Sequence, residues 1–290
     1  MSKDRSEWPV IAVLNMKGGV GKTTVTANVM RHMYRTIKGT TWLIDFDPQY
    51  NLTQLLLQQT IYDLMKANNK TILSVMESDP QPSLLSVTNG SVHPPTGADV
   101  STRLRYMKDE SAELRLVPGD FGLVKYSLID QAHNTLTPVR DRFRRFIKTL
   151  SQDGVVCIDC NPSSSFLTIT ALEVATHVLV PVKPDRFSML GLDMLNNFVN
   201  QQHQLEDKPK FVVLLNDIPR SNYDPIVEDQ LRAHPIFGSR TLSAQLHQSK
   251  ALSANQRHTG FASDRRGPYV RRALSNIEDV AAELRRDLGI

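Results

Sequence analysis

Cysteine is scarce in this chain: Cys157 and Cys160 are the only two among 290 residues. Their C-x-x-C spacing can serve redox or metal chemistry. Two thiols cannot complete a four-ligand metal centre within one chain. The pair also flanks Asp159 on an apolar run, Val155-Val156-Cys157-Ile158-Asp159, so buried, reduced cysteines are expected. No apolar run approaches the about 18 residues of a membrane-spanning helix. The first residues, Met1-Ser2-Lys3-Asp4-Arg5-Ser6-Glu7, are polar and lack the apolar stretch of a secretory leader. A cytoplasmic protein is therefore expected. Internal repeats and heptads are missing as well, which sets aside solenoids and coiled coils. Charge imbalance is small: a net +4 and a pI of about 9.0 are weak evidence for a polyanion partner by themselves.

What is present begins near the N-terminus. The apolar run Val10-Ile11-Ala12-Val13-Leu14 leads into Asn15-Met16-Lys17-Gly18-Gly19-Val20-Gly21-Lys22-Thr23-Thr24 and then Val25-Thr26-Ala27-Asn28-Val29-Met30. That order predicts strand, glycine loop and helix. The glycines let the backbone fold tightly, so successive N–H groups point into one concavity. The helix start adds unsatisfied N–H groups and the positive end of its dipole. Lys22 can reach the outer phosphates of a nucleotide, and the Thr23 hydroxyl can ligate Mg²⁺. The usual phosphate-loop pattern has a first Gly where this chain has Met16, and here a second lysine, Lys17, stands at the front of the loop.

With that departure the stretch resembles the deviant Walker A motif of the ParA/MinD family of ATPases. The resemblance implies that Lys17 crosses a dimer interface to the partner's phosphates. A second match follows. The run Thr40-Thr41-Trp42-Leu43-Ile44 reads as a strand, reached from a helix spanning 22–38 that stops at Gly39. It delivers Asp45-Phe46-Asp47-Pro48-Gln49-Tyr50-Asn51, which is similar to the family's Asp-x-Asp-Pro-Gln-x-Asn. By that resemblance Asp47 positions the attacking water, and Asp45 supports the Mg²⁺ shell through water. The physical requirement is an in-line water and neutralised phosphate charge. A third match is the strand 155–159 ending in Asp159-Cys160-Asn161-Pro162-Ser163. It reads as a Walker B carboxylate on the Mg²⁺ hydration shell, with Asn161 standing where many members have Pro. A fourth lies at the end of the strand 210–216, where the family uses an Asn to read adenine, here Asn216.

Between these matches, 52–66 and 71–76 read as helices. Residues 78–112 lose periodicity and are expected to form a surface excursion without chemistry. A strand at 113–119 and a helix from Thr137-Pro138 follow. That helix carries Val139, Phe143, Phe146, Ile147 and Leu150 on one face. Its other face, with Arg140, Arg142, Arg144, Arg145 and Lys148, is either a solvated face or part of a polyanion-binding surface. Strands alternating with helices, and continuous apolar strands, predict a doubly wound α/β fold: a mostly parallel sheet covered on both faces. One domain over 1–290 is expected.

From Arg220 the resemblance weakens. The family's Ile-Pro-Arg segment has no counterpart in 240–251, so DNA-contacting positions are not carried over one by one. Charge remains as a guide. Residues 250–272 hold Lys250, Arg257, Arg265, Arg266, Arg271 and Arg272 against one acid, Asp264, a local balance of +5. Such a patch suits phosphate-backbone binding without base readout. A last helix, 269–288, has an apolar face at Ile277, Val280, Ala281, Leu284 and Leu288, and mixed charge elsewhere. It reads as core packing rather than a membrane tail.

The matches occur in the family's order and cover 9–216. No added helix-turn-helix segment precedes them, so the chain resembles the short, Soj-like kind. The resemblance implies ATP and Mg²⁺ as ligands and an ATP-dependent homodimer on non-specific double-stranded DNA. It also implies release by ParB-like, partner-stimulated hydrolysis, nucleoid association and no membrane. Alternatives are a MinD-like positioning ATPase, a metal-cluster carrier ATPase, and a nucleotide-gated DNA-binding regulator with little turnover.

Overall fold

The computed structural model describes residues 7–78, 87, 93–109, 111–128, 136–163, 165–185, 187–253 and 259–290. Among them runs β1 (Val10–Val13), α1 (Lys22–Met33), β2 (Gly39–Phe46), α2 (Asn51–Leu56), α3 (Gln59–Ala67), α4 (Ile72–Met76) and α5 (Gly97–Val100). Next come β3 (Thr102–Tyr106), β4 (Ala112–Val117), α6 (Lys125–Leu128), α7 (Thr137–Asp153), β5 (Gly154–Cys160) and α8 (Phe166–Val174). The remainder holds β6 (His177–Val182), α9 (Ser188–Gln201), β7 (Lys210–Leu215), α10 (Ile226–Ala233) and α11 (Pro268–Asp287).

The strands form one seven-stranded sheet in the order β3-β4-β2-β5-β1-β6-β7. Every pairing is parallel except β3 with β4 at the edge. The central strands are buried on both faces because their residues alternate between two cores. Ala12, Ile158 and Val180 pack beneath α7, α8 and α9, whereas Ile11, Val13 and Leu179 pack beneath α1 and α11. The same alternation sends Cys157 and Cys160 into opposite cores, and both are free thiols. Burial first, then Asp159, pushes the Cys160 thiol well up. Facing away from each other, the two cannot share a ligand.

Several boundaries differ from the sequence reading. The first helix stops at Met33 rather than continuing to Lys38. Tight bonds from Arg35 N to His32 O and from Thr36 N to Met33 O close it, and Thr36 Oγ1 donates to the same Met33 carbonyl. Gly39 is not its cap; it opens β2 with φ of 107°. The helix expected at 52–66 is two helices, α2 and α3, broken where Leu57 and Gln58 turn extended. The excursion at 78–112 contains α5 and the antiparallel β3, whose hydrophobic alternation is too weak to read, although 79–86, 88–92 and 110 lie outside the described residues.

The basic face of α7 is largely tied down. Arg140 and Arg144 both reach the buried carboxylate of Glu173 on α8, at 3.1 and 3.2 Å. Arg142 turns inward to the backbone carbonyls of His93 and Ser74. The last helix packs along α1, with Ile277, Val280, Ala281 and Leu284 buried, as its apolar spacing predicts. Among the described residues no helix is long and apolar enough to cross a membrane.

Candidate nucleotide site

The loop 15–21 leaves β1 at the centre of the sheet and enters α1 through Gly21, whose φ of 88° is left-handed. A Cβ there would lie 2.4 Å from the Asn216 amide nitrogen, so only glycine lets β7 close on the loop. A Cβ on Gly18 or Gly19 would instead meet nothing within 4 Å. Internal packing does not require those two glycines; they border open space, as a cradle for phosphate oxygens would.

That space is a cavity of about 1420 Å³. Gly18, Gly19, Gly21, Lys22, Thr23 and Thr24 line one wall, and Asp47, Pro48, Gln49 and Asn51 another. Asn161 to Ser163 and the segment from Ala251 to Ser253 border it too. Lys22 is largely buried, which lowers its pKa, while Asp159, Cys160 and Asp47 pull the other way. Asp47 is a buried residue of the cavity wall, its Oδ1 accepting from Gln49 N at 2.9 Å, and burial raises its pKa.

Beneath the cradle lie two carboxylates. Asp159, at the end of β5, accepts from Thr23 Oγ1 at 2.8 Å and from Thr26 Oγ1 at 3.2 Å. Burial raises its pKa to about 7 despite those bonds and nearby Lys22. Asp45 is a strand residue, the penultimate one of β2, and is wholly buried. Its Oδ2 accepts from Thr53 N at 2.7 Å and Thr53 Oγ1 at 2.6 Å. Burial, then the Asp159 charge, raises its pKa to about 8. A hydroxyl and a carboxylate under an open phosphate cradle suit Mg²⁺, which keeps several waters and takes further ligands from the substrate's phosphates. No group of three or more metal-binding side chains occurs among the described residues, as that ligand set would not require one.

Other predicted residues lie off the cavity wall. Val20 is buried, and its carbonyl accepts from Asn216 Nδ2 at 2.8 Å. Asn216 thus braces the loop from behind. Lys17 turns along the protein surface and pairs with Asp185. Of the basic candidates, Lys250, Arg266, Arg271 and Arg272 are exposed, and Arg257 lies outside the described residues. Arg265 differs. It lines the cavity, and its guanidinium donates to Lys250 O at 2.6 Å.

The sequence reading did not single out Thr26, Asn28, Thr53 or Asp185. Thr26 carried a signal, since it lies one turn beyond Thr23 on the same helix face. Asn28 did not: its side chain donates to Thr24 O at 2.9 Å and accepts from Ala262 N at 2.8 Å, across a separation no local pattern encodes.

A central parallel sheet, a glycine loop opening a helix and a strand-end carboxylate on the loop threonine define a phosphate-loop nucleoside triphosphatase. The lysine at the front of the loop places it in the deviant Walker A class. A family model described as an AAA domain matches residues 8–212, and the chain belongs to that family, among ParA/Soj-type partition ATPases. The sporulation initiation inhibitor protein Soj of Bacillus subtilis (strain 168) is 29% identical over 204 residues, covering 67% of this chain and 66% of that one. A putative plasmid partition protein from Borrelia burgdorferi B31, bound to AMPPNP, superposes with a TM-score of 0.69 at 17% identity, over 96% of this chain and 100% of that one. The pNOB8 ParA bound to nonspecific DNA gives 0.65 at 16% identity, over 97% and 99%. At these identities the two structures establish the fold.

Proposed function

We infer that this protein is an ATP-dependent DNA-partitioning ATPase, a single domain over 1–290, whose ATP-bound homodimer binds non-specific double-stranded DNA and lets go after partner-stimulated hydrolysis. The observation that carries this reading is the convergence of Lys22, Thr23 and Asp47 on one cavity, with Asp159 hydrogen-bonded to Thr23 beneath it. Phosphoryl transfer asks for positioning and charge stabilisation, and these residues supply both. Lys22 and the N–H groups of 18–24 hold the phosphates. Thr23 would ligate a bound Mg²⁺, Asp159 would order its hydration shell, and Asp45 would support that shell through water. Asp47 on the cavity wall orients the attacking water. Bound Mg²⁺ supplies neutralisation of phosphate charge.

Lys17 belongs to the dimer rather than to its own cavity, a reading supported by its pairing with Asp185 and its place outside the cavity lining. The exposed cations Lys250, Arg266, Arg271 and Arg272 supply sequence-independent phosphate contacts, and a dimer doubles them, which steepens both affinity and salt dependence. The nonspecific DNA bound to pNOB8 ParA supports this choice of matrix. Nucleoid association in the cytoplasm and a ParB-like stimulating partner complete the proposal.

The test is binding to non-specific duplex DNA with ATP, with ADP and without nucleotide, at two salt concentrations, beside Lys17→Ala. Tight, salt-sensitive binding only with ATP, lost in the variant, supports the reading. Binding indifferent to nucleotide, or none at low salt, overturns it.

A further inference from the structure

The sheet is open at its other end as well. The nucleotide cavity lies where β1, β2 and β5 finish, whereas β6 and β7 begin at the opposite edge, with His177 and Lys210 paired as their first residues. A cavity of about 800 Å³ opens there, and it shares no lining residue with the nucleotide cavity. Its size suits a small organic molecule.

Two chemistries meet on its walls. Val199, Phe211 and Ile236 supply apolar surface, and Ile236 is left 39% exposed. Lys208, Lys210 and Arg240 supply charge. Lys208 is committed, its ammonium donating to Asn200 O at 3.0 Å. Lys210 and Arg240 are exposed, and among the described residues neither side chain has an ion pair or a hydrogen bond. Arg240 is held at the foot of the sheet by the chain that follows it: Thr241 pairs in parallel with Val213, and Leu242 N donates to Val213 O at 2.9 Å. His177 adds no charge near neutral pH, because burial and then the Lys210 charge lower its pKa to about 4. Asp287, the acid among the lining residues, has Arg286 as its nearby cation.

We propose that this cavity is a second ligand site that takes a small organic phosphate, whose dianion pairs with Lys210 and Arg240 and whose apolar body covers Phe211 and Ile236. Two free cations match the charge of a phosphomonoester, about −1.5 to −2 near neutral pH. A carboxylate, with about half that charge, leaves one of them unpaired. A guanidinium also takes two phosphate oxygens at once. The site stands apart from the nucleotide reading, since it is built from other residues at the other end of the strands.

The test is calorimetric titration of the full chain with phenyl phosphate, with ADP and Mg²⁺ saturating so that the phosphate loop is filled. Saturable binding is expected, and it should weaken about tenfold or more in Lys210→Gln with Arg240→Gln, because hydrogen bonds between charged groups are the strong ones. Both residues are exposed, so the variant should fold, and its ADP affinity checks that it does. Benzoate and inorganic phosphate should each bind more weakly, the first for want of charge and the second for want of an apolar body. Location is read by NMR: the imidazole signal that is lost in His177→Gln should move as phenyl phosphate is added. Absence of saturable binding, equal binding by the variant, or an unmoved His177 signal overturns the site. Benzoate binding as tightly as phenyl phosphate overturns the choice of phosphate, and inorganic phosphate doing so overturns the organic body. No phenyl phosphate binding, together with DNA affinity lost in the variant, would place the two cations on the DNA surface instead.

Discussion

Thr23 on α1 and Asp159 at the end of β5 are joined by a hydrogen bond of 2.8 Å, with the hydroxyl donating to a carboxylate that is 1% exposed. The phosphate loop is therefore fastened to the middle of the sheet through the very hydroxyl that its sequence assigns to Mg²⁺. A buried carboxylate this close to Lys22 is costly in the empty fold and useful in the loaded one.

That opposition separates stability from binding in Asp159→Asn. The amide keeps an acceptor for Thr23 and removes a buried charge. Melting of the nucleotide-free variant at neutral pH should match or exceed wild type. Mg²⁺-dependent strengthening of ATP binding should fall by about tenfold or more, because a neutral oxygen holds the metal and its waters less well. Calorimetric titration with and without Mg²⁺ reads the second effect.

Thr53 should prove as sensitive as a motif residue. Its hydroxyl donates to Asp45 Oδ2 at 2.6 Å and accepts from Gly119 N at 2.8 Å, both in the interior. Thr53→Val keeps the shape, strands Gly119 N, and takes from Asp45 Oδ2 one of its two donors, leaving the backbone N–H of residue 53. The expected loss is about 2 kcal/mol, chiefly from one unsatisfied buried N–H. Thr53→Ser should restore most of it, and chemical denaturation of the pair checks the difference.

The two residues mark where sequence legibility ends. Asp159 was readable because an apolar strand ending in Asp is a local pattern, as is the glycine loop before Thr23. Thr53 was not, since a threonine inside a helix has no signature until Asp45 and Gly119 come to meet it. The same holds for Asp185, which meets Lys17 across 168 positions of chain. Parallel strands could be read from continuous apolar runs. The edge strand β3 could not, because Thr102-Arg103-Leu104-Arg105-Tyr106 is half-exposed and polar. Charge counting was the least discriminating guide. It grouped Arg265 with the surface patch, yet Arg265 borders the nucleotide cavity.

The arginines of α7 give a prediction about DNA by exclusion. Arg140 and Arg144 flank Glu173, whose side chain is 3% exposed, so they neutralise a buried acid. Replacing both with Ala leaves that charge unpaired and should cost about 3 kcal/mol of stability. The affinity of the ATP-bound form for DNA should change little, whereas Arg271→Ala with Arg272→Ala should weaken it and lower its salt slope by about two counterions per subunit. Fluorescence anisotropy across a salt series distinguishes the two pairs.

His177 sets part of the acid limit of stability. It opens β6 directly opposite Lys210 on β7. Burial first, and then the Lys210 charge, lowers its pKa from the ordinary 6.5 to about 4. Thr176 Oγ1 lies 2.8 Å from its Nδ1, and Asp287 borders the same cavity as His177 and Lys210. The unfolded chain takes up this proton below pH 6.5, while the folded protein refuses it until about pH 4. Stability from this group is thus fully present above 6.5 and is lost as pH falls through that window. The loss should be about 1 to 2 kcal/mol, less than the full linkage value, because the residue borders two open cavities. Carboxylates titrate over the same range, so the readout is a difference: wild-type stability minus that of His177→Gln, measured at each pH. That difference should shrink steadily from pH 7 to pH 4. Lys210→Gln should move its midpoint toward neutrality, since removing the facing cation makes the imidazolium easier to form. A difference flat in pH would mean that the folded and unfolded chains protonate His177 alike, and its place between the two strands would then carry no electrostatic cost.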